Sequence, residues 1–204
     1  MSLLSRRKFS GLCVAFGTFA AATGLHAGAS TASTTTGRTV KFRDGTVVPA
    51  LGQGSAGLGQ GKRPQAAEEE ALRTGLSLGM TLIDTAEIYG SEEFIGRAIA
   101  GQRDRVFLVS KVSPDHVAGN GIARACEASL KRLGTDHLDL YLLHWPTGVA
   151  NFYRVVAAFE KLRSAGKIRA WGVSNFKVSD MENLFRVPQG DRCATRVWTH
   201  NLIQ

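Results

Sequence analysis

Cysteine is scarce in this chain, at 3 of 204 residues. Cys13 falls in the first 29 positions, which leaves Cys126 and Cys193 for the body of the protein. Two thiols so placed build no disulfide framework, and Cys126, on the apolar face of an expected helix, reads as a small core residue. The 5 histidines do not cluster with Cys, Asp or Glu at metal-ligand spacing, so no metal is expected. No basic stripe interleaved with aromatics is present; Arg6, Arg7 and Lys8 account for three of the formal charge of +8 and the other basic residues are spread along the chain, which argues against nucleic acid as partner. The apolar run "LCVAFGTFAAATGL" (12–25) is too short to span a bilayer comfortably, so no stable membrane anchor is expected. Acidic residues are absent from the first 29 positions.

That N-terminal stretch has its own pattern. "SRRKFSG" (5–11) pairs Arg6 with Arg7 and is followed by the apolar run and by small residues at Ala27–Ala29 suited to cleavage. Residues 1–29 therefore resemble a twin-arginine export signal, a receptor-read address and not an anchor. The expected location is periplasmic or exported; a chance basic N-terminus would leave the protein cytoplasmic. Residues 30–38, "STASTTTGR", read as a Ser/Thr-rich linker, and residues 39–204 as the folded domain. With 44% apolar content the chain can build one real core.

The domain opens with "TVKFRDGTVVP" (39–49), where Asp44-Gly45 between alternating runs signals a β-hairpin. One rhythm follows: a short apolar run, a loop, an amphipathic helix. Strands are expected at 50–52, 81–84, 106–112, 138–144, 168–174 and 193–198, and helices at about 66–78, 91–100, 121–133, 152–164 and 178–186. The helix over 121–133 places Ile122, Ala125, Cys126, Ser129, Leu130 and Leu133 on one face, and Gly134 and Gly166 sit where helices end. Runs such as "VFLV" and "LYLL" are apolar on both faces, the mark of a parallel sheet covered by helices. This α/β alternation fits an open doubly wound sheet or a (β/α)8 TIM barrel. "GQGSAGLGQG" (52–61) matches G-x-G-x-x-G at Gly52, Gly54 and Gly57, but no convincing helix opens after it and no acidic residue follows at the usual distance, so it reads as a loop.

In a barrel the C-terminal ends of the strands share one rim, where chemistry takes place. The successive expected strands finish at Asp84, Lys111, His144 and Ser174-Asn175, and Tyr89 follows Asp84 in a glycine-flanked turn. Alone, each has an ordinary structural role, such as a turn cap, a solvated lysine, a core histidine or a packing aromatic. Together on one rim they converge on a site. A tyrosine phenol ionises at about 10, and a neighbouring lysine is expected to lower that value while a carboxylate holds the lysine in place. A histidine on the next strand can orient a carbonyl. This is an arrangement for protonating a carbonyl oxygen as hydride arrives at its carbon. No side chain supplies hydride, which implies a nicotinamide cofactor.

"GMTLIDTAEIYGSEEFIG", "VFLVSKV", "LDLYLLHWP" and "KIRAWGVSNF" together resemble, in order and spacing, the signatures of the aldo-keto reductases over residues 39–195. The wording is similar to the bacterial branch that reduces small dicarbonyls such as methylglyoxal or diketogluconate. The resemblance implies NADPH-dependent reduction of a small carbonyl substrate to an alcohol in a (β/α)8 barrel. It implies Tyr89 as proton donor, Asp84 and Lys111 as the pair that tunes it, and His144 as substrate-orienting residue. Asp84, Ser174 and Asn175 would contact the cofactor, and Trp145 would line the substrate pocket. After "CAT" (193–195) the family usually continues with an Asn-Gln pair, whereas this sequence reads "RVWTHNLIQ". The expectation is an incomplete barrel of about five and a half βα units after the hairpin, binding NADPH poorly or not at all. Two further readings stay open: a non-catalytic barrel fragment or binding module, and a Schiff-base aldolase using Lys111, against which the nearby Asp84 argues. Oligomeric state is not legible.

Overall fold

The computed structural model describes residues 38–197. The expected export signal, nearly all of the linker, and residues 198–204 lie outside the described residues. The Asp44-Gly45 signal produces the hairpin it encodes, with β1 (Thr39–Lys41) antiparallel to β2 (Val47–Pro49) and Val40 opposite Val48. Asp44 accepts a hydrogen bond from the Thr46 backbone N–H at 2.9 Å, closing the turn.

Six strands then alternate with five helices: β3 (Gly52–Gly54), α1 (Gln65–Ser77), β4 (Leu82–Asp84), α2 (Glu92–Ala98), β5 (Phe107–Val112), α3 (Gly121–Leu133), β6 (Leu138–Leu143), α4 (Phe152–Ser164), β7 (Ile168–Ser174), α5 (Val178–Phe185) and β8 (Arg196–Val197). The strands are parallel and lie side by side in chain order, β3-β4-β5-β6-β7-β8. This is the arrangement of consecutive units in a (β/α)8 barrel, and it resolves the choice that composition left open. Among the described residues no helix is long and apolar enough to cross a membrane.

Parallel strands covered by helices must be apolar on both faces, and β6 is buried along its whole length. Its alternate residues serve two separate cores. Tyr141 and Leu143 join Ile95, Cys126, Phe159 and Trp171 between sheet and helices. Leu140 and Leu142 join Val109, Ala170 and Ala194 on the other face, where Phe42 of the hairpin and Phe107 pack edge to face at 6.1 Å. The hairpin thus covers one end of the inner core. In the outer core Phe159 stacks on Trp171 at 5.5 Å and meets Tyr141 edge-on at 5.7 Å, contacts worth about 0.5–1.5 kcal/mol each beyond the area they bury. The Cys126 thiol lies in this layer, and burial pushes its pKa up to about 12, so it is an inert core group, as its helical position indicated.

The helices over 121–133 and 152–164 fall where periodicity puts them, and α3 ends on Gly134 at φ +64°, a conformation that costs glycine little. Two strand expectations shift. The first strand runs Gly52–Gly54 in place of 50–52, so the glycine-rich stretch begins as sheet and is a loop only afterwards. The physical reason is close approach: a Cβ on Gly52 would lie 2.7 Å from the Leu82 side chain of β4. Gln53 anchors the strand by donating to the Leu72 and Met80 carbonyls of the α1 layer at 3.2 and 3.0 Å. At the far end, among the described residues, the strand expected over 193–198 is reduced to Arg196–Val197, position 198 lying outside them.

Candidate active site

Each strand delivers its polar residue to the same end of the sheet. Asp84 is the last residue of β4, Lys111 the last but one of β5, His144 the first after β6, and Ser174 the last of β7, followed by Asn175. Tyr89 closes a 3-10 turn, Glu87–Tyr89, entered from the β4 end through Thr85 and Ala86. The chain leaves that turn through Gly90 at φ +68°.

These side chains form one connected constellation. The Lys111 ammonium, almost fully buried, donates to Asp84 Oδ1 at 2.5 Å and to the Thr85 carbonyl at 2.9 Å. It also sits 4.9 Å from the centroid of the Tyr89 ring. Tyr89 Oη lies 3.3 Å from His144 Nε2, and the His144 ring stacks on Trp145 with centroids 3.5 Å apart. Asn175, at φ +61°, donates from Nδ2 to the His144 carbonyl at 2.9 Å and to Ser174 Oγ at 3.1 Å. All seven residues expected from the sequence, Asp84, Tyr89, Lys111, His144, Trp145, Ser174 and Asn175, are brought together.

The electrostatics differ from the expectation in one respect. Lysine was expected to pull the Tyr89 phenol down, yet the Tyr89 pKa is raised, first by burial and then by the negative charge of Asp84. The geometry explains the sign. Lys111 directs its hydrogen bonds to Asp84 and Thr85 and meets Tyr89 across the ring face. The phenol is therefore kept in its protonated form, the state a proton donor needs before reaction. Lys111 itself is lowered by burial, opposed by the charge and hydrogen bond of Asp84. Burial and then the Lys111 charge push His144 down to about 4, so its imidazole is neutral at neutral pH.

The His144 shift makes a pH prediction. From its ordinary value of 6.5 down to about 4, the unfolded chain takes up a proton that the folded protein refuses. Stability is fully present above that window and falls as pH drops through it, by about 2–3 kcal/mol at the bottom. Urea unfolding of wild type and H144N at pH 7.5, 5.5 and 4 is expected to show the wild type losing more stability than the variant. A wild-type-minus-variant difference that does not change with pH would rule this out.

Two contributors escaped the sequence reading. Thr85 binds Lys111 through its backbone carbonyl, for which side-chain identity gives no signal, while its hydroxyl joins Ser91 and Ser55 in a buried chain at 3.0 and 2.9 Å. Glu87 reaches across to the loop after β5, where the Ser113 backbone N–H donates to it and His116 Nδ1 lies 3.0 Å away. Its position between two site residues was the available signal. Among the described residues no group of three or more His, Cys, Asp or Glu could hold a metal ion.

The chain is similar to known proteins. The model of the aldo/keto reductase family matches residues 50–202. A protein named methylglyoxal reductase YeaE, of Escherichia coli, is 49% identical over 166 residues, covering 80% of this chain and 58% of the relative. A crystal structure of an aldo/keto reductase from Klebsiella pneumoniae in complex with NADP and acetate superposes with a TM-score of 0.74 at 49% identity, covering 78% of this chain and 57% of that one. An aldo/keto reductase structure from Brucella melitensis gives 0.71 at 36% identity, covering 81% and 64%. The chain thus spans somewhat more than half the length of these relatives.

Proposed function

This chain belongs to the aldo/keto reductase family, and from that premise we propose that it carries the site for NADPH-dependent reduction of an aldehyde or ketone to an alcohol, with Tyr89 as proton donor. The observation that carries the reading is the 3.3 Å approach of Tyr89 Oη to His144 Nε2, with the Lys111–Asp84 pair against the phenol ring. A carbonyl oxygen placed at these two groups meets an acid and an orienting neutral imidazole at once. The similarity to a protein named methylglyoxal reductase supports a small dicarbonyl as substrate class.

The residues on the rim fit a nicotinamide. Its carboxamide offers one acceptor and two donors, and Ser174 Oγ with the Asn175 amide supplies the complementary set at adjacent strand-end positions. These two would hold the ring, and the bound cofactor supplies hydride. The rest is the work of this chain. His144 Nε2 orients the carbonyl oxygen, and Tyr89 Oη passes it a proton as negative charge builds there. The phenolate left behind gains attraction from the Lys111 cation, which Asp84 and the Thr85 carbonyl keep in place. Electrostatic preorganisation of this kind requires no rearrangement during reaction.

Mixing the purified protein with NADPH and methylglyoxal and following absorbance at 340 nm tests the proposal. Substrate-dependent NADPH oxidation with matching alcohol formation is expected at NADPH concentrations high enough to offset weak cofactor binding. Failure to turn over methylglyoxal, other dicarbonyls and simple aldehydes would sink it.

A further inference from the structure

We propose that Glu87 is a positioning residue for the Tyr89 phenol, tying the turn that carries it to the segment directly after Lys111; this rests on the carbonyl-reductase reading of the site. The turn Glu87–Tyr89 is a single 3-10 turn held internally by the Tyr89 N–H to the Ala86 carbonyl at 3.0 Å. Such a short element has little stability of its own. Its middle residue, Ile88, is 52% exposed, so the turn does not gain a firm apolar anchor from it.

Glu87 supplies what the turn lacks. Its side chain is only 8% exposed. It accepts the Ser113 backbone N–H, and its two carboxylate oxygens lie 3.0 and 3.1 Å from His116 Nδ1. Ser113 follows β5 immediately, two residues after Lys111, and His116 ends the 3-10 turn that comes next. The same two segments are also joined by the Asp84–Lys111 bridge. Two fastenings thus join the Tyr89-bearing segment to the end of β5 and hold the phenol ring over the ammonium. Gln60 Nε2 donates to the Tyr89 carbonyl at 2.9 Å in an exposed contact, which solvent weakens. The buried carboxylate therefore sets where the phenol can sit relative to Lys111 and His144.

The sequence holds 3 tyrosines, Tyr89, Tyr141 and Tyr153, so protein labelled with 13C at tyrosine Cζ gives few signals, and Y89F assigns the relevant one. In E87A the ionisation of Tyr89 is expected to move down from its raised position toward the ordinary phenol value. The kcat for methylglyoxal is expected to fall about 10- to 100-fold with KM unchanged, the penalty of a misplaced acid. E87Q keeps an oxygen acceptor for the Ser113 N–H and is expected to retain most of the activity. A residue that merely stabilised the fold would lower the melting temperature and leave both readouts of the folded variant as in wild type. Either readout unchanged in folded E87A, or equal losses in E87A and E87Q, overturns the inference. If E87A does not fold, E87D takes its place with the same two readouts, because it keeps the charge and shortens the reach by one methylene. If the wild type reduces no carbonyl, the functional reading fails, and the Tyr89 titration alone then decides the role of Glu87.

Discussion

Replacing Tyr89 with phenylalanine is expected to lower kcat for carbonyl reduction about 10²- to 10⁴-fold, the range set by loss of a positioned general acid. The substitution removes one oxygen and keeps the ring that packs over Lys111 at 4.9 Å. Folding and the Asp84–Lys111 bridge should therefore survive, so the loss reports on chemistry. His144 cannot take over the role, because its pKa of about 4 leaves it without a spare proton near neutral pH. Nor is Lys111 placed to do so, since its donors are directed to Asp84 and Thr85. Affinity for NADPH, measured by fluorescence titration, should be unchanged, since Ser174 and Asn175 are untouched. Wild-type kcat in a folded Y89F variant would remove Tyr89 as the acid.

A second large effect is structural. The D139A variant is expected to lose about 3–5 kcal/mol, a large share of the stability of an ordinary domain. Asp139 is buried in β6, accepts the Leu108 N–H at 2.9 Å, and pairs with Arg103 and Arg169 at 2.9 and 2.7 Å. The three partners do not count equally. Arg169 is 66% exposed, and an exposed pair contributes about 0–1 kcal/mol. The Leu108 N–H is buried on β5 and Arg103 is only 17% exposed, so removal of the carboxylate leaves a buried donor unmet and a charge poorly compensated. Urea unfolding should show the full loss for D139A and less than about 1 kcal/mol for R169A. A D139A midpoint equal to wild type would refute this assignment.

Asp84 and Asp139 show how far the residues alone could be read. Asp84 stands at the end of an apolar run, and in a parallel sheet that address is the rim, so its place beside Lys111 was legible. Asp139 stands inside "LDLYLL", where one charge among leucines carries no local signal beyond that of a buried strand. Its three partners come from residues 103, 108 and 169, and nothing in local spacing links them. The glycine-rich stretch likewise owes its local structure to a distant neighbour. Its strand character at Gly52–Gly54 follows from the nearness of Leu82, 30 residues away in the chain and opposite Gly52 in the ladder.

The sequence by itself determined the alternation of strand and helix, the buried faces of α3 and α4, and the list of side chains at the strand ends. Those properties follow from periods of 2 and 3.6 residues and from where apolar runs stop. Tertiary structure decided how these side chains act on one another. It placed Lys111 over the face of Tyr89 and buried the phenol beside Asp84, which raises its pKa where a lowering was expected. It also brought Glu87 to Ser113 and His116, across 26 and 29 residues of chain. The physical reason is common to both. Periodicity encodes which face a residue occupies, whereas distance and burial across neighbouring strands depend on register and packing, and these set the sign and size of every charge interaction in the site.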